Sequence, residues 1–180
     1  MDLKLSKLVS LPSKSSFNTG LSPCKPVTLT RLLGSPRESL GTDCQPVTHR
    51  ELKKRIVTKD VGPFKVTGLD VAVNSLQRVL QAAKAGDPEV YDQVKSAGML
   101  CVRLVRGSRS KPSNHSWGTA IDLHFGSQVD GRQDGLCQVG LLRLYRFFHA
   151  EGWYWGAGFS KEDSMHFELA DETVTRLLAG

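Results

Sequence analysis

Two histidines and one aspartate are candidate metal ligands: His115, Asp122 and His166. Two imidazoles and a carboxylate form a common ligand set for a catalytic zinc ion, with the fourth position left to water. Zinc in such a site lowers the pKa of the bound water and polarises a carbonyl group, so the set predicts hydrolytic chemistry. His124 and His149 compete as ligands by composition, and spacing alone does not choose between His166 and His124.

The segment around Asp122 has the pattern of a strand. In TAIDLHFG, residues 119–126, Asp122 and His124 share one face, while Ile121 and Leu123 share the other. The apolar face can anchor the strand while Asp122 faces a cleft.

The remaining histidines have simpler interpretations. His149 lies near the end of a predicted helix, where it interacts favourably with the helix dipole. His49 lies in the first turn of a predicted surface helix, and we assign it no chemical role.

Two motifs carry a resemblance to a known family. SNHSWGTAIDL, residues 113–123, resembles the S-x-H-x-x-G-x-A-x-D signature of the zinc D-alanyl-D-alanine peptidase group. That group includes vancomycin-resistance dipeptidases and carboxypeptidases, and the L-alanyl-D-glutamate endopeptidases of phage endolysins. DSMHFE, residues 163–168, is similar to its second motif, an acidic residue three positions before a histidine. Between them, WGAGF resembles the family's W-G-G segment, with Ala157 at the second glycine. The resemblance covers roughly residues 60–180.

The resemblance implies one Zn2+ ion held by His115, Asp122 and His166, with Asp163 as the general base. A carboxylate at that point can take a proton from the attacking water and return it to the leaving amine. Glu162 is the rival base, although on an extended segment it would point away from Asp163. The vancomycin-resistance enzymes have Glu at this position and several endolysin endopeptidases have Asp, which favours the endopeptidase branch.

The family also places an arginine at the end of the strand before its signature. Arg103, Arg106 and Arg109 compete for this role. MLCVRLVRG, residues 99–107, predicts a buried strand that brings Arg106 nearest the metal loop and turns Arg103 to the opposite face. We therefore expect Arg106 to bind a substrate carboxylate or the developing oxyanion through two parallel hydrogen bonds.

Four further residues belong to the predicted surroundings of the site. Ser113 is a candidate substrate-binding residue, and Glu168 shares a strand face with His166, which predicts a supporting role behind the metal ligands. Trp117 could wall the cleft or belong to the core, and Trp155 is expected in the core.

The elements that must position these residues alternate without a repeating strand-helix-strand rhythm. Strand patterns cover residues 64–68, 99–107, 119–126 and 164–169. Helix patterns cover residues 48–57, 68–86, 87–98, 138–152 and 171–180, with Thr48 and Asp171 as predicted N-caps. This order predicts an α+β fold, a small antiparallel sheet flanked by helices. The family resemblance implies the same fold, shared with animal Hedgehog signalling domains.

The N-terminal quarter differs in composition. Residues 1–45 are rich in Ser, Pro and Gly, and we expect an N-terminal extension or linker, either a tether or a strap over the domain. Residues 46–180 would form the zinc peptidase domain.

Charge and composition exclude several classes of protein. The net charge is +6, but residues 51–180 hold 17 Lys/Arg and 15 Asp/Glu, which argues against a nucleic-acid-binding face. No apolar run is long enough for a membrane span. The first residues lack the apolar core of a signal peptide, so we expect cytoplasmic synthesis before action on the cell wall.

The four cysteines show no C-x-x-C spacing. Cys101 and Cys137 lie in apolar runs and are expected to be small buried core residues rather than disulfide partners.

Taken with the resemblance, these features predict a monomeric zinc peptidase whose partner is peptidoglycan. The preferred bond is L-alanyl-D-glutamate in the stem peptide. The alternatives are a D-alanyl-D-alanine carboxypeptidase or dipeptidase, and an inactive wall-binding module similar to the Hedgehog domains.

Overall fold

The computed structural model describes residues 4–179, which contain six α-helices and eight strands. The helices are α1 (Pro26–Leu33), α2 (Arg50–Lys54), α3 (Asp70–Gly86), α4 (Pro88–Gln93), α5 (Val139–Ala150) and α6 (Asp171–Leu178). The strands are β1 (Leu8–Ser10), β2 (Ile56–Asp60), β3 (Lys65–Leu69), β4 (Lys95–Gly98), β5 (Ala120–His124), β6 (Leu136–Gln138), β7 (Trp153–Trp155) and β8 (His166–Leu169). None of the helices in residues 4–179 has the length and hydrophobicity needed to cross a membrane.

The central sheet has four antiparallel strands in the order β4-β5-β8-β7. Strands β2 and β3 form a separate antiparallel pair, and β1 pairs with β6. This mixed architecture confirms the predicted α+β class with a small antiparallel sheet.

Helices α3 and α5 provide much of the core. The helix predicted over residues 68–86 is confirmed as α3, whose side chains Val73, Leu76 and Leu80 are fully buried. Helix α5 buries Phe148, whose ring lies 4.3 Å from the ring of Phe167 on β8. Helix α5 therefore packs against the strand that carries one of the candidate ligands.

Three helix predictions need correction. Helix α2 is capped by His49 rather than Thr48, because Nδ1 of His49 accepts a hydrogen bond from the Leu52 amide at 3.2 Å. Helix α6 begins at Asp171 itself, and that carboxylate accepts a bond from the Lys25 amide instead of capping its own helix. The helix predicted over residues 87–98 ends at Gln93, since the chain then pairs with β5 as strand β4.

The strand predicted over residues 99–107 is wrong. Val102 and Leu104 make only isolated bridges, with Gln45 and Pro112. No continuous ladder forms because the backbone groups bond to separate segments: the Val102 carbonyl accepts the Gln45 amide, and the Leu104 amide donates to the Gly41 carbonyl. The segment is instead an irregular stretch that ends in a turn.

Residues 4–45 pack against the rest of the chain. Leu5, Phe17, Cys24 and Leu29 are buried in the core. The division of the chain at residue 45, and the role of residues 1–45 as an extension or linker, stay predictions.

A disulfide joins Cys44 to Cys101. This corrects the expectation that Cys101 is a buried thiol, while Cys137 is confirmed as a buried free cysteine. The apolar neighbours of Cys101 indicated burial, but a partner 57 residues away leaves no local signal.

Replacing both Cys44 and Cys101 by serine should lower the free energy of unfolding by about 2–4 kcal/mol, because the cross-link restricts the unfolded chain. Urea unfolding of the oxidised wild type and the double variant measures the difference. Cys137→Ser, at a buried free cysteine, is the control for a loss of stability unrelated to the cross-link. This control variant keeps the disulfide, so a reductant should still destabilise it. Equal stability of the double variant and the oxidised wild type would refute the cross-link.

Candidate metal centre

Three electron-pair donors converge at one point of the sheet. Nε2 of His115 lies 3.2 Å from Oδ1 of Asp122, and Nδ1 of His166 lies 3.1 Å from the same oxygen. The two ring nitrogens are themselves 3.2 Å apart. These atoms form a group that could hold a metal ion, with all separations within 4.8 Å.

In each histidine ring, the hydrogen bond of the nitrogen that faces away from Asp122 determines whether the nitrogen that faces Asp122 is protonated. Nδ1 of His115 lies 2.8 Å from the carbonyl oxygen of Met99, which can only accept, so this nitrogen carries the proton. Nε2 of His166 lies 2.8 Å from Oε2 of Glu168, and the same reasoning applies to the neutral ring. Each neutral imidazole therefore presents an unprotonated nitrogen to Asp122.

The two unprotonated nitrogens and the carboxylate oxygen lie 3.1–3.2 Å from one another, and their lone pairs repel unless a positive charge lies between them. Without a metal the site must take up protons. Burial lowers the pKa of His166, but its hydrogen bonds with Asp122 and Glu168 outweigh burial and raise it to about 10. Nitrogen and carboxylate donors of this kind suit zinc, so the residues fit the ion that the sequence motifs imply.

The sheet register positions two of the three donors. Asp122 on β5 pairs directly with His166 on β8, and cross-strand partners project from the same face. His115 lies on a short 3-10 helix, Asn114–Trp117, that leads into β5.

Gly118 ends that short helix with a φ of 67°. A Cβ atom there would lie 2.7 Å from Cα of Gly68 on β3. Glycine is required for both reasons, the left-handed backbone and the close approach of the two segments.

Asp163 lies beside the donors, in the loop before β8. Burial raises its pKa. The charges of His166 and Arg132 lower this pKa, and the charge of Asp122 raises it. Its Oδ2 pairs with Nε of Arg132 at 3.0 Å. Its Oδ1 is buried and has no hydrogen-bond partner among residues 4–179. One oxygen of this carboxylate is therefore anchored and the other is free.

Gly156 allows that loop to come close. A Cβ atom at this position would lie 2.5 Å from the carbonyl oxygen of Asp163 and 3.0 Å from Cβ of His166. Gly156, the first glycine of the W-G-A-G segment, thus allows the candidate base and a candidate ligand to pack against the backbone at this position.

Glu162, the rival base, has other partners. Its Oε1 accepts the Ser164 amide at 2.8 Å and its Oε2 accepts the Gly135 amide at 3.3 Å. Because both oxygens of Glu162 already accept backbone N–H groups, Asp163 is the carboxylate that is available for proton transfer.

The arginines around the site differ from the sequence picture. Arg106 is exposed at a turn, whereas Arg103 is partly buried. Burial lowers the pKa of Arg103, and so does the charge of Arg106. The charges of Asp122 and Asp163 raise it, which indicates that Arg103 lies close to the charged groups of the site. Because no strand turns Arg103 away, the reason for preferring Arg106 is lost. Arg132 was not among the arginines considered from the sequence, because it lies in VDGRQDG, residues 129–135, whose composition is typical of a turn.

The other predicted residues have clear positions. Ser113 is buried directly before the short helix, and its amide donates to the Arg103 carbonyl at 3.0 Å. Trp117 and Trp155 are both fully buried, which confirms the core interpretation of Trp155. Glu168 lies behind His166, as its alternation on the strand predicted.

Neither competing histidine joins the cluster found within residues 4–179. His124 lies further along β5, opposite Lys95, and its pKa is lowered by burial and by that lysine. His149 lies in the last turn of α5 and contacts the carbonyl of Thr19 at 3.0 Å.

Fold and site together describe an α+β domain whose antiparallel sheet carries a candidate metal centre beside a buried carboxylate. Residues 106–169 match a family model described as D-alanyl-D-alanine carboxypeptidase. This match covers about a third of the chain and contains the three donors and Asp163. It supports a peptidase of this type and leaves the branch of the family open. No curated protein matches the chain significantly.

Proposed function

We propose that this protein is a zinc metallopeptidase that cuts the stem peptides of peptidoglycan. The observation that carries the proposal is the convergence of two ring nitrogens and a carboxylate oxygen beside a buried carboxylate with one free oxygen. The similarity of residues 106–169 to D-alanyl-D-alanine carboxypeptidase supports the substrate class.

His115, Asp122 and His166 would hold the ion, which when bound acidifies water and polarises the scissile carbonyl. The remaining steps belong to the side chains of the protein. Arg132 holds Oδ2 of Asp163, so Oδ1 accepts the proton of the attacking water. The same oxygen then returns the proton to the leaving amine.

An arginine would stabilise the charge that develops on the carbonyl oxygen. Arg106 is the residue proposed from sequence, together with Ser113 as a substrate contact. The partly buried position of Arg103 among Asp122 and Asp163 makes Arg103 the competing candidate. Comparing Arg106→Met with Arg103→Met assigns the role to the variant with the larger loss of kcat/KM.

Two bonds are candidates for cleavage. The aspartate at position 163 favours the L-alanyl-D-glutamate bond, because several endolysin endopeptidases that resemble this chain have Asp there. The matched family model favours a bond next to a terminal D-alanine.

Mass spectrometry of purified peptidoglycan after digestion separates these activities. New N-terminal D-glutamate identifies the endopeptidase, and released D-alanine identifies the carboxypeptidase. Both must disappear with a chelator and return with zinc. Binding to peptidoglycan without any product would instead support the inactive wall-binding module.

Removing the Arg132 charge should shift the pH dependence of the reaction. Asp163 must be deprotonated to act, so activity is present above its pKa and is lost as the pH falls through it. Burial raises this pKa and Arg132 lowers it, so Arg132→Met should move the acid limb of kcat/KM to higher pH. Lys161→Met, the loss of an exposed charge nearby, is the control. An unmoved acid limb in the Arg132 variant would refute this role of the ion pair.

A further inference from the structure

The carboxylate behind His166 is held in part by the N-terminal segment. Oε2 of Glu168 accepts bonds from Nε2 of His166 at 2.8 Å and from Nδ2 of Asn114 at 2.9 Å. Oε1 accepts the backbone N–H of Cys24 at 2.8 Å. Glu168 is only 2% exposed, so water cannot replace these donors unless the structure opens.

Asn114 also connects the carboxylate of Glu168 to Cys24. Its Nδ2 also donates to the carbonyl oxygen of Cys24 at 2.9 Å. Both neighbours of the amide are acceptors, so only the NH2 group can face them and the orientation of the side chain is fixed. Asn114, Glu168 and the backbone of Cys24 therefore form one unit.

We call residues 18–25 the docking segment. At one end, Asn18 exchanges two bonds with the backbone of Trp155, at 2.9 and 2.8 Å. At the other end, the Lys25 amide donates to Asp171 at 3.0 Å. The segment is thus fixed to both elements that flank the loop of Asp163 and strand β8.

We propose that the docking segment is part of the metal centre, with Asn114 and the Cys24 backbone as positioning groups that hold Glu168 and, through it, His166. The proposal rests on the metal site proposed above. Partners of a ligating histidine orient its ring, and their loss typically costs about 10- to 100-fold in metal affinity. The docking segment lies outside residues 106–169, so the family match does not contain it.

The first test measures zinc affinity in the full-length protein. Competition with a chromophoric chelator gives the Kd for wild type and for Asn114→Leu, which is similar in size but cannot donate. We expect Zn2+ to bind about 10-fold more weakly in the variant, the lower end of the range for a direct partner of a ligating histidine, because Asn114 acts through Glu168. Asn74→Leu, on the exposed face of α3, is the matched control and should keep the wild-type Kd. Equal Kd values for Asn114→Leu and wild type would overturn the proposal.

The second test needs no substitution. If docking of the segment favours zinc, then zinc must favour docking by the same factor, because linked binding equilibria are reciprocal. Zinc should slow hydrogen exchange of the Cys24 amide by about tenfold or more beyond its effect on the Leu11 amide. The Leu11 amide donates to the Gly135 carbonyl at 2.9 Å, within the same N-terminal part of the chain but not to Glu168. Equal slowing of the two amides would contradict the coupling.

These tests separate the inference from the peptidase itself. Zinc binding that depends on Asn114, in a protein that cuts no peptidoglycan, would refute the peptidase and support the positioning role. Hydrolysis with a zinc Kd insensitive to Asn114 would refute only the positioning role. A wild-type protein that binds no zinc would overturn both.

Discussion

Asp163→Asn should lower kcat by about 10²- to 10⁴-fold, the usual contribution of a positioned general base. The amide has nearly the shape of the carboxylate but cannot accept the proton of the attacking water. The three donor atoms of His115, Asp122 and His166 are unchanged, so the variant should still bind one zinc ion per chain.

Turnover of a peptidoglycan stem peptide and the zinc content of the purified protein are the two measurements. Glu162→Gln is the discriminating variant, because the two residues are neighbours and both are buried carboxylates. If Glu162→Gln loses turnover with its zinc and melting temperature intact while Asp163→Asn keeps turnover, the base has been assigned to the wrong residue.

The periodic parts of the fold were predictable from the sequence. Apolar residues at three- and four-residue spacing predicted helix α3, and alternating faces predicted strand β5. Such patterns work because a buried face repeats with the period of its element. The candidate donor set came from motif resemblance, since spacing alone did not choose between His166 and His124.

Contacts between distant segments were not predictable. The carboxylate of Glu168 is held by a backbone N–H of Cys24, and every residue except proline has such a group. Arg132 reaches Asp163 from a segment rich in Gly and Asp, which has the composition of an ordinary turn. The Cys44–Cys101 pair likewise depends on how an irregular segment is folded.

The errors in element boundaries have local causes. Thr48 and His49 are adjacent residues that can both cap a helix, and only the path of the chain decides which side chain faces the free amides. Residues 99–107 have the composition of a strand, but a strand also requires a partner with free backbone groups. Here the backbone groups bond to separate segments, as with the Leu104 amide on the Gly41 carbonyl and the Gln45 amide on the Val102 carbonyl.

His115→Ala should abolish zinc binding and reduce hydrolysis to the level of the chelated wild type. The variant loses one of three donors, so we expect a loss of affinity greater than the roughly 10- to 100-fold caused by changes behind the ligands. His124→Ala is the matched control from the neighbouring strand, because His124 was the competing ligand by composition and lies outside the donor cluster of residues 4–179. Zinc retained by His115→Ala and lost by His124→Ala would refute the proposed ligand set.

His115→Ala should also abolish the stabilisation of the protein by zinc. With free zinc at 100 times its Kd, the free energy of unfolding of the wild type should rise by about 2.7 kcal/mol. In the metal-free protein, the hydrogen bonds with Asp122 and Glu168 raise the pKa of His166 to about 10, so zinc competes with a proton for that ring. Zinc uptake by the wild type near pH 7 should therefore release protons, which calorimetry in buffers of different ionisation enthalpy detects. Because His115→Ala lacks a donor for the ion, we expect neither the stabilisation nor the proton release, although His166 and Asp122 remain in place.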